Sequence, residues 1–256
     1  VLRGRDARAH VVLERIYRSP ELADGEIAAV RGTAAAASQS EWRMLFAPGI
    51  RKAVVIGVFI AILGQFMGVN AVLYYGPTIF ENAGLSSGDS LFSQVLVGVV
   101  NMLTSVLALV IIDRVGRKQL VYWGVSGMIL SLLCIGIYFL WGAAWGLSNV
   151  FLLVFFLAYI FFCAVSICAV VWVLLSEMYP TRVRGLAMSI AGLALWVGTY
   201  LIGQLTPWML ENLTPAGTFF LFAAMCVPYI LIIWRAVPET TGRSLEEIEK
   251  YWQKDA

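Results

Sequence analysis

Charged side chains are scarce in this sequence. Asp, Glu, Lys and Arg make up only 13% of its 256 residues, whereas 60% are hydrophobic. A typical soluble domain is about one quarter charged and about half apolar, so the composition excludes an ordinary water-soluble globular protein. Together with the mean hydropathy of +0.82, it indicates an integral membrane protein.

Histidine and cysteine are scarce as well, with one histidine and four cysteines. The cysteines lie in apolar segments, without the CxxC or Cys/His spacing of a zinc site and without a disulfide framework, so we expect them to be packing residues. They are Cys134, Cys163, Cys168 and Cys226. The apolar segments also lack paired carboxylates, a nucleophile with a base, and a GxxxxGK[ST] loop. We therefore predict that the protein is not an enzyme and uses no cofactor and no metal.

Six long apolar segments remain once the charged positions are set aside. About 20 apolar residues cross a bilayer as a helix, whereas strands of an outer-membrane barrel are about ten residues long with alternating polar positions. The predicted fold is therefore all-α, an integral membrane protein with six transmembrane helices. The segments are 53–80, 90–112, 119–141, 149–176, 186–210 and 217–234.

Lys and Arg are absent from alternate connections, namely 82–89, 142–148 and 211–216. All 18 basic residues lie in the other connections and the two terminal regions. By the positive-inside rule we predict a multi-pass protein of the plasma (inner) membrane with both termini cytoplasmic. The small net charge of +2 is then explained by basic residues that orient the chain in the membrane. No nucleic-acid partner is expected.

The terminal regions are predicted to be cytoplasmic and to flank a transmembrane unit over 53–236. Residues 1–52 would be a helical linker region that contains an amphipathic helix around Asp6 to Tyr17. Residues 237–256 would be a tail with a short helix over 244–253, because Ser244 is followed three residues later by Glu247, the spacing of a capping box.

The first apolar segment contains the polar residues Gln65, Asn70, Tyr74 and Tyr75. Amides and hydroxyls are costly in hydrocarbon unless paired, so they usually face a water-filled cavity or another helix. Asn70 and Tyr74 share a helix face, but Gln65 lies about 140° from Asn70 on a straight helix. A straight helix would therefore not direct all of them to one site.

Glycine and proline in the same stretch predict a local break in this helix. The residues concerned are Gly64, Gly68, Gly76 and Pro77. Transporters form substrate sites at interrupted helices near the bilayer midplane. The alternative is that Gly64 and Gly68 form a GxxxG packing motif and that the two amides bond across helices.

Three mixed-charge motifs lie in the predicted cytoplasmic connections: DRVGRK at 113–118, SEMYPTRVRG at 176–185 and PETTGRS at 238–244. With QFMGVNAVLYY in the first span, their order and spacing resemble the C-terminal six-helix half (helices 7 to 12) of the sugar porter family, within the major facilitator superfamily. The resemblance covers nearly the whole chain. It implies transport of a monosaccharide or polyol by alternating access, with this chain supplying much of the sugar site.

The resemblance also implies partners and site residues. The partners are a small sugar or polyol, the lipid bilayer, and an N-terminal six-helix half, in cis or as a separate chain. Tyr75 is expected near the external gate, and Thr199 is a weaker site candidate beside Trp196. The expected substrate-binding residues are Gln65, Asn70, Tyr74, Asn101, Trp172 and Trp196. The alternatives are interfacial belt positions for the tyrosines and Trp172, interhelical hydrogen bonding for Asn101, and core packing for Trp196.

The chain departs from the family pattern at three places. Many members have a second glutamine at Gly64, a Gly-Pro pair at Cys168 and Ala169, and Asn or Gln at Leu195. Two sugar-bonding side chains are therefore absent. The changes at Gly64 and Leu195 slightly favour one alternative, a drug or metabolite exporter with a more apolar cavity. A second alternative is a non-transporting membrane sugar sensor.

Charged residues of both signs cluster at the predicted cytoplasmic helix ends. We predict that they form a state-dependent charge latch, which closes this end of the transporter while the external end is open. The alternative is that they anchor static loops. The members are Asp113, Arg114, Arg117, Glu177, Arg182, Arg184, Glu239 and Arg243.

Overall fold

The computed structural model of this chain describes residues 6–17, 19–20, 23–25, 27–28, 42–242, 247–248 and 251–252, which form helices and connecting turns without strands. The principal helices are α1 (Asp6–Tyr17), α2 (Pro48–Phe66), α3 (Val69–Asn82), α4 (Ser87–Val115), α5 (Arg117–Trp141), α6 (Asn149–Cys163), α7 (Ala169–Met178), α8 (Arg184–Asn212) and α9 (Thr214–Ala236). A π-helical turn, Ala164–Cys168, joins α6 to α7.

Six spans in the described part are long and apolar enough to cross a membrane. Two of them are compound: α2 and α3 form the first, and α6, the π turn and α7 form the fourth. Each predicted apolar segment lies within one of these spans. The predicted fold class, an all-α protein with six membrane-crossing helices, is confirmed, and α1 coincides with the predicted amphipathic helix.

The helices pack into one bundle in which α5 lies against α6 and α9, and α2 lies against α8. Small residues allow close approach, as is usual between membrane helices. A Cβ atom at Gly124 of α5 would collide with the side chain of Ser166 and the carbonyl of Phe162. The spans of α4 and α8 are the least buried, with 22% and 28% of their apolar windows inside the bundle against 44–50% for the others.

The first span is interrupted between α2 and α3, as predicted. Gly68 has φ 93°, in the left-handed region that favours glycine, and a Cβ atom there would run into the ring of Phe222. The carbonyl oxygen of Met67, at the break, accepts a hydrogen bond of 2.8 Å from the hydroxyl of Tyr159 on α6. Both residues are fully buried. The interruption is therefore enclosed by protein and its carbonyl is satisfied, as hydrocarbon surroundings require.

Pro77 lies inside α3 without ending it. Proline has no N–H to donate to the carbonyl four residues earlier, which belongs to Leu73. The Nε2 of Gln94 on α4 donates to that carbonyl at 2.9 Å. Gly76 makes room for this amide, because a Cβ atom at Gly76 would collide with it. Of the predicted helix breakers, only Gly68 therefore interrupts the span.

We predict that Tyr159→Phe lowers the free energy of unfolding by roughly 1–3 kcal/mol, because the buried carbonyl of Met67 loses its donor. Tyr179→Phe is the matched control, since the Tyr179 hydroxyl is buried and has no hydrogen-bond partner among the described residues. Its removal should leave stability unchanged or raise it. Thermal unfolding of both variants in the same detergent checks this. Equal losses in the two variants would contradict a specific role for the Tyr159 bond.

Candidate ligand-binding pocket

A pocket of about 250 Å³ lies where the break between α2 and α3 faces the π turn, α7 and α8. It is lined by Gly64, Gln65, Val69, Asn70, Leu73, Tyr74, Ile167, Cys168, Val171, Trp172, Leu195, Trp196 and Thr199. Five of the six predicted substrate-binding residues are in this lining, together with the weaker candidate Thr199. The helix break brings Gln65 and Asn70 together, because the chain leaves α-helical geometry at Gly68 between them.

Gln65, Asn70 and Thr199 form a hydrogen-bonded cluster at one side of the pocket. The Nδ2 of Asn70 donates to the Oε1 of Gln65 at 2.7 Å. The hydroxyl of Thr199 lies 3.1 Å from the same oxygen and 3.0 Å from the carbonyl of Leu195, so it can donate to either. On a straight helix Gln65 and Asn70 would point about 140° apart. The cluster thus depends on the interruption at Gly68.

The cluster leaves hydrogen-bonding capacity for a ligand. Gln65 uses its oxygen and Asn70 uses its nitrogen within the cluster, so the Nε2 of Gln65 and the Oδ1 of Asn70 have no protein partner in the described part of the chain. Both residues are half-buried and line the pocket. An amide nitrogen carries two donors and an amide oxygen two acceptor sites. The pocket therefore offers donors and an acceptor side by side.

Aromatic side chains form much of the remaining wall. Trp172 on α7 and Trp196 on α8 are 41% and 65% exposed, and Tyr74 on α3 is 57% exposed. The end of the Trp172 ring lies near Gly192 of α8, so this ring bridges the two helices. The chemistry of the pocket suits a small ligand with hydroxyl groups on one edge and C–H faces that pack against indole rings.

Two predicted residues lie outside the pocket lining. The hydroxyl of Tyr75 donates to the carbonyl of Gly203 at 2.9 Å and so ties α3 to α8. Asn101 on α4 is half-buried, and its carbonyl accepts from the hydroxyl of Ser105 at 2.7 Å. The gate role of Tyr75 and the sugar contact of Asn101 stay predictions.

Cys168 is in the lining although it was predicted to be a packing residue, and for this cysteine that prediction is wrong. It is exposed, whereas Cys163 and Cys226 are buried. One signal in the sequence could have found it: Cys168 precedes Trp172 by four residues, and residues at this spacing share a helix face. The spacing of Thr199 also indicated its place in the pocket, since it follows Trp196 by three residues and such residues share a helix face.

The three mixed-charge motifs meet at one end of the bundle, which we call the basic end and define by Arg117, Lys118 and Arg184. The Nη2 of Arg117 lies 2.9 Å from the Oε1 of Glu177, and both side chains are largely buried. The backbone N–H of Arg117 donates to the hydroxyl oxygen of Thr241 at 3.1 Å. The Nζ of Lys118 donates to the carbonyl of Val237 at 2.8 Å, just beyond the end of α9.

The other predicted latch residues contribute differently. The Oε1 of Glu239 accepts from the backbone N–H groups of Thr240 and Thr241 and so shapes the turn. Arg184 donates to the carbonyl of Tyr179 and the hydroxyl of Thr181. Arg114 and Arg182 are exposed. The side chain of Asp113, and the residues Arg243 and Ser244, lie outside the part of the chain that the structure describes.

Trp252 contacts the same end of the bundle. Trp252 is buried, and its Nε1 donates to the carbonyl of Met178, the last residue of α7, at 3.0 Å. This bond satisfies a carbonyl at a helix terminus that has no partner within the helix.

Known proteins resemble this chain over nearly its whole length. It is 35% identical over 251 residues to the arabinose-proton symporter of Bacillus subtilis (strain 168), which covers 98% of this chain and 53% of the relative. It is 36% identical over 214 residues to the glucose transporter GlcP of Staphylococcus epidermidis, which covers 84% of this chain and 48% of the relative. The chain therefore spans about half the length of these curated relatives.

A solved structure shows the same fold. The proton:xylose symporter XylE bound to 6-bromo-6-deoxy-D-glucose matches 98% of this chain with a TM-score of 0.72 at 32% identity, and the match covers 52% of the XylE chain. A model of the family described as "Sugar (and other) transporter" matches residues 1–252. The chain therefore belongs to this family of sugar and other transporters, as its resemblance to the sugar porters predicted.

Proposed function

We propose that this chain forms half of a transporter that moves a monosaccharide or polyol across a membrane by alternating access, and that it supplies much of the sugar site. One observation carries this proposal. The pocket contains two polar atoms without a protein partner among the described residues, Nε2 of Gln65 and Oδ1 of Asn70, and the exposed indole rings of Trp172 and Trp196. A sugar presents hydroxyls that both donate and accept, along with C–H faces. The relatives' names support this substrate class, since they specify arabinose, glucose and xylose.

An exporter of more apolar compounds is the second candidate. Leu195, Val171 and Ile167 also line the pocket, and they would suit a ligand with a larger apolar surface. The hydrogen-bonding edge favours the sugar, because an apolar ligand would leave the Gln65 and Asn70 groups desolvated and unpaired, which is unfavourable. We propose no catalysed reaction for this pocket.

We predict that Gln65→Ala and Asn70→Ala each weaken sugar binding by roughly 1–3 kcal/mol, because a buried hydroxyl of the ligand loses its partner. Calorimetric titration of the complete transporter with arabinose, xylose and glucose measures the affinity. Asn212→Ala is the matched control: it also removes an amide, but one that is exposed and bonded to the carbonyl of Trp208 at the end of α8.

The outcomes separate the two parts of the proposal. If none of the three sugars binds the unaltered protein, this substrate class is rejected and the exporter candidate gains support. If a sugar binds and both pocket variants retain its affinity, transport stands, but the assignment of Gln65 and Asn70 to the site is rejected.

We infer that an N-terminal six-helix half, in cis or as a separate chain, covers the open faces of α4 and α8. These are the two least buried spans, and α8 carries Trp196 and Tyr200 at 65% and 66% exposure. Leu195, Trp196 and Thr199 of α8 also line the pocket. Polar groups of a spanning helix need protein or water around them, so Gln65 and Asn70 require such a partner.

The six-helix chain expressed by itself should self-associate or aggregate, because the pocket side has no cover. Size-exclusion chromatography with light scattering in detergent measures its state, and coexpression with a separately encoded N-terminal half of a related sugar porter is the comparison. A stable, monodisperse monomer that binds sugar as tightly as the complete transporter would refute this need for a second half.

We propose that the basic end is cytoplasmic, together with both termini, and that its charges act as a latch between transporter states. The Arg117–Glu177 pair joins the start of α5 to the end of α7, the helix that carries Trp172. Exposed ion pairs contribute about 0–1 kcal/mol, but this pair is largely buried and belongs to a network. The two states of a transporter differ by only a few kcal/mol, so such a pair can shift their ratio.

Glu177→Gln should favour the inward-open state, slow net sugar transport and leave the contacts at the pocket unchanged. A shift of about 1 kcal/mol changes a two-state ratio about fivefold. The readout is the rate at which an impermeant maleimide labels Cys168 from the cytoplasmic side of inside-out vesicles, with Glu211→Gln at the opposite end as control. If Glu177→Gln changes neither the labelling rate nor the transport rate, the charges are only loop anchors.

A further inference from the structure

Two of the four cysteines are in contact at the π turn. The Sγ of Cys163, the last residue of α6, lies 3.7 Å from the Sγ of Cys168, the last residue of the turn. Residues five apart point about 140° away from each other on an α-helix. A π turn bonds residue i to residue i+5, so it brings these two side chains to the same face.

The two thiols differ in exposure. Cys163 is 1% exposed, whereas Cys168 is exposed and lines the pocket beside Val171 and Trp172. The remaining cysteines provide internal controls: Cys226 is buried in α9, where its thiol donates to the carbonyl of Phe222, and Cys134 is half-buried in α5. Neither has a second cysteine in contact among the described residues.

We propose that Cys163 and Cys168 form a reversible thiol modification site in the pocket wall, which reacts with a small disulfide that enters the pocket. Cys168 would be the attacking thiol and Cys163 the resolving thiol. An accessible thiol beside a resolving cysteine is the usual arrangement at reversibly oxidised sites. The inference rests on the proposed function in one respect, namely that a water-borne small molecule reaches the pocket.

The reaction is a thiol–disulfide exchange in two steps. The Cys168 thiolate attacks one sulfur of a reagent R–S–S–R, which forms a mixed disulfide and releases one R–S⁻. The Cys163 thiolate then attacks the Cys168 sulfur and releases the second R–S⁻. The two protons lost by the cysteines end on the two released thiols, so the protein dithiol is oxidised to a disulfide and the reagent is reduced to two R–SH molecules.

The geometry requires only a local change. A disulfide has a sulfur–sulfur distance of about 2.0 Å, compared with the present 3.7 Å between the two Sγ atoms. Closing this gap draws the Cys168 sulfur toward the buried Cys163 and away from the pocket. Trp172 follows Cys168 by four residues on the same face, so the aromatic wall of the pocket shifts with it. Sugar uptake should therefore fall when the disulfide forms and recover on reduction.

The probe is bis(2-hydroxyethyl) disulfide, which is small and neutral. The purified, reduced protein is incubated with it, quenched in acid and mapped by mass spectrometry. In the unaltered protein the Cys163 and Cys168 peptides should be joined, with the loss of two hydrogens and no reagent attached. In Cys163→Ser, one half of the reagent should remain on Cys168, and in Cys168→Ser, Cys163 should stay reduced. Cys226→Ser should behave as the unaltered protein does.

Two results would overturn the inference. One is a persistent mixed disulfide on Cys168 while Cys163 is present, which would show that Cys163 does not resolve it. The other is that both thiols stay reduced. A disulfide between Cys163 and Cys168 in a protein that binds no sugar would support the modification site and reject the proposed function, so the two proposals fail separately.

Uptake into vesicles gives a second readout. Sugar uptake by the unaltered protein should be lower with the reagent than without it, and dithiothreitol should restore it.

Discussion

The helix break beside the pocket is stabilised by the hydrogen bond from the hydroxyl of Tyr159 to the carbonyl of Met67. A membrane-spanning chain is normally forced into an unbroken helix, because hydrocarbon offers no partners for free backbone groups. This chain interrupts its first span at Gly68, and Tyr159 from α6 satisfies the carbonyl at the break. The same requirement is met at Pro77, where the amide of Gln94 takes the place of the missing N–H. Irregular backbone is thus tolerated because neighbouring helices satisfy it.

Both departures from α-helical geometry bring together residues that are five apart in sequence. The break at Gly68 joins Gln65 to Asn70 at 2.7 Å, and the π turn joins Cys163 to Cys168 at 3.7 Å. Residues beside both departures line the same pocket, so its polar edge and its thiol both come from interrupted helices. On a regular α-helix the two members of each pair would point about 140° apart.

At the basic end, separate motifs in the sequence become one contact network. Arg117 of DRVGRK, Glu177 of SEMYPTRVRG and Thr241 of PETTGRS are bonded to one another through the Arg117 side chain and backbone. The network joins the ends of α5 and α7 to the segment after α9. The charged motifs are thus linked to α7, the helix that carries Trp172.

The sequence alone determined the membrane class, the six spans and the family, because hydropathy and spaced motifs are local properties that survive without knowledge of packing. It also indicated Gln65, Asn70, Tyr74, Trp172 and Trp196, all of which line one pocket. Which helix breaker interrupts the first span was decided only in the tertiary structure, because the outcome depends on the partners Tyr159 and Gln94, which lie on other helices. The lining position of Cys168 and the absence of Asn101 and Tyr75 from the lining were decided in the same way. Helical spacing gives the face of a residue, but the direction of that face follows from the π turn and from how the helices pack.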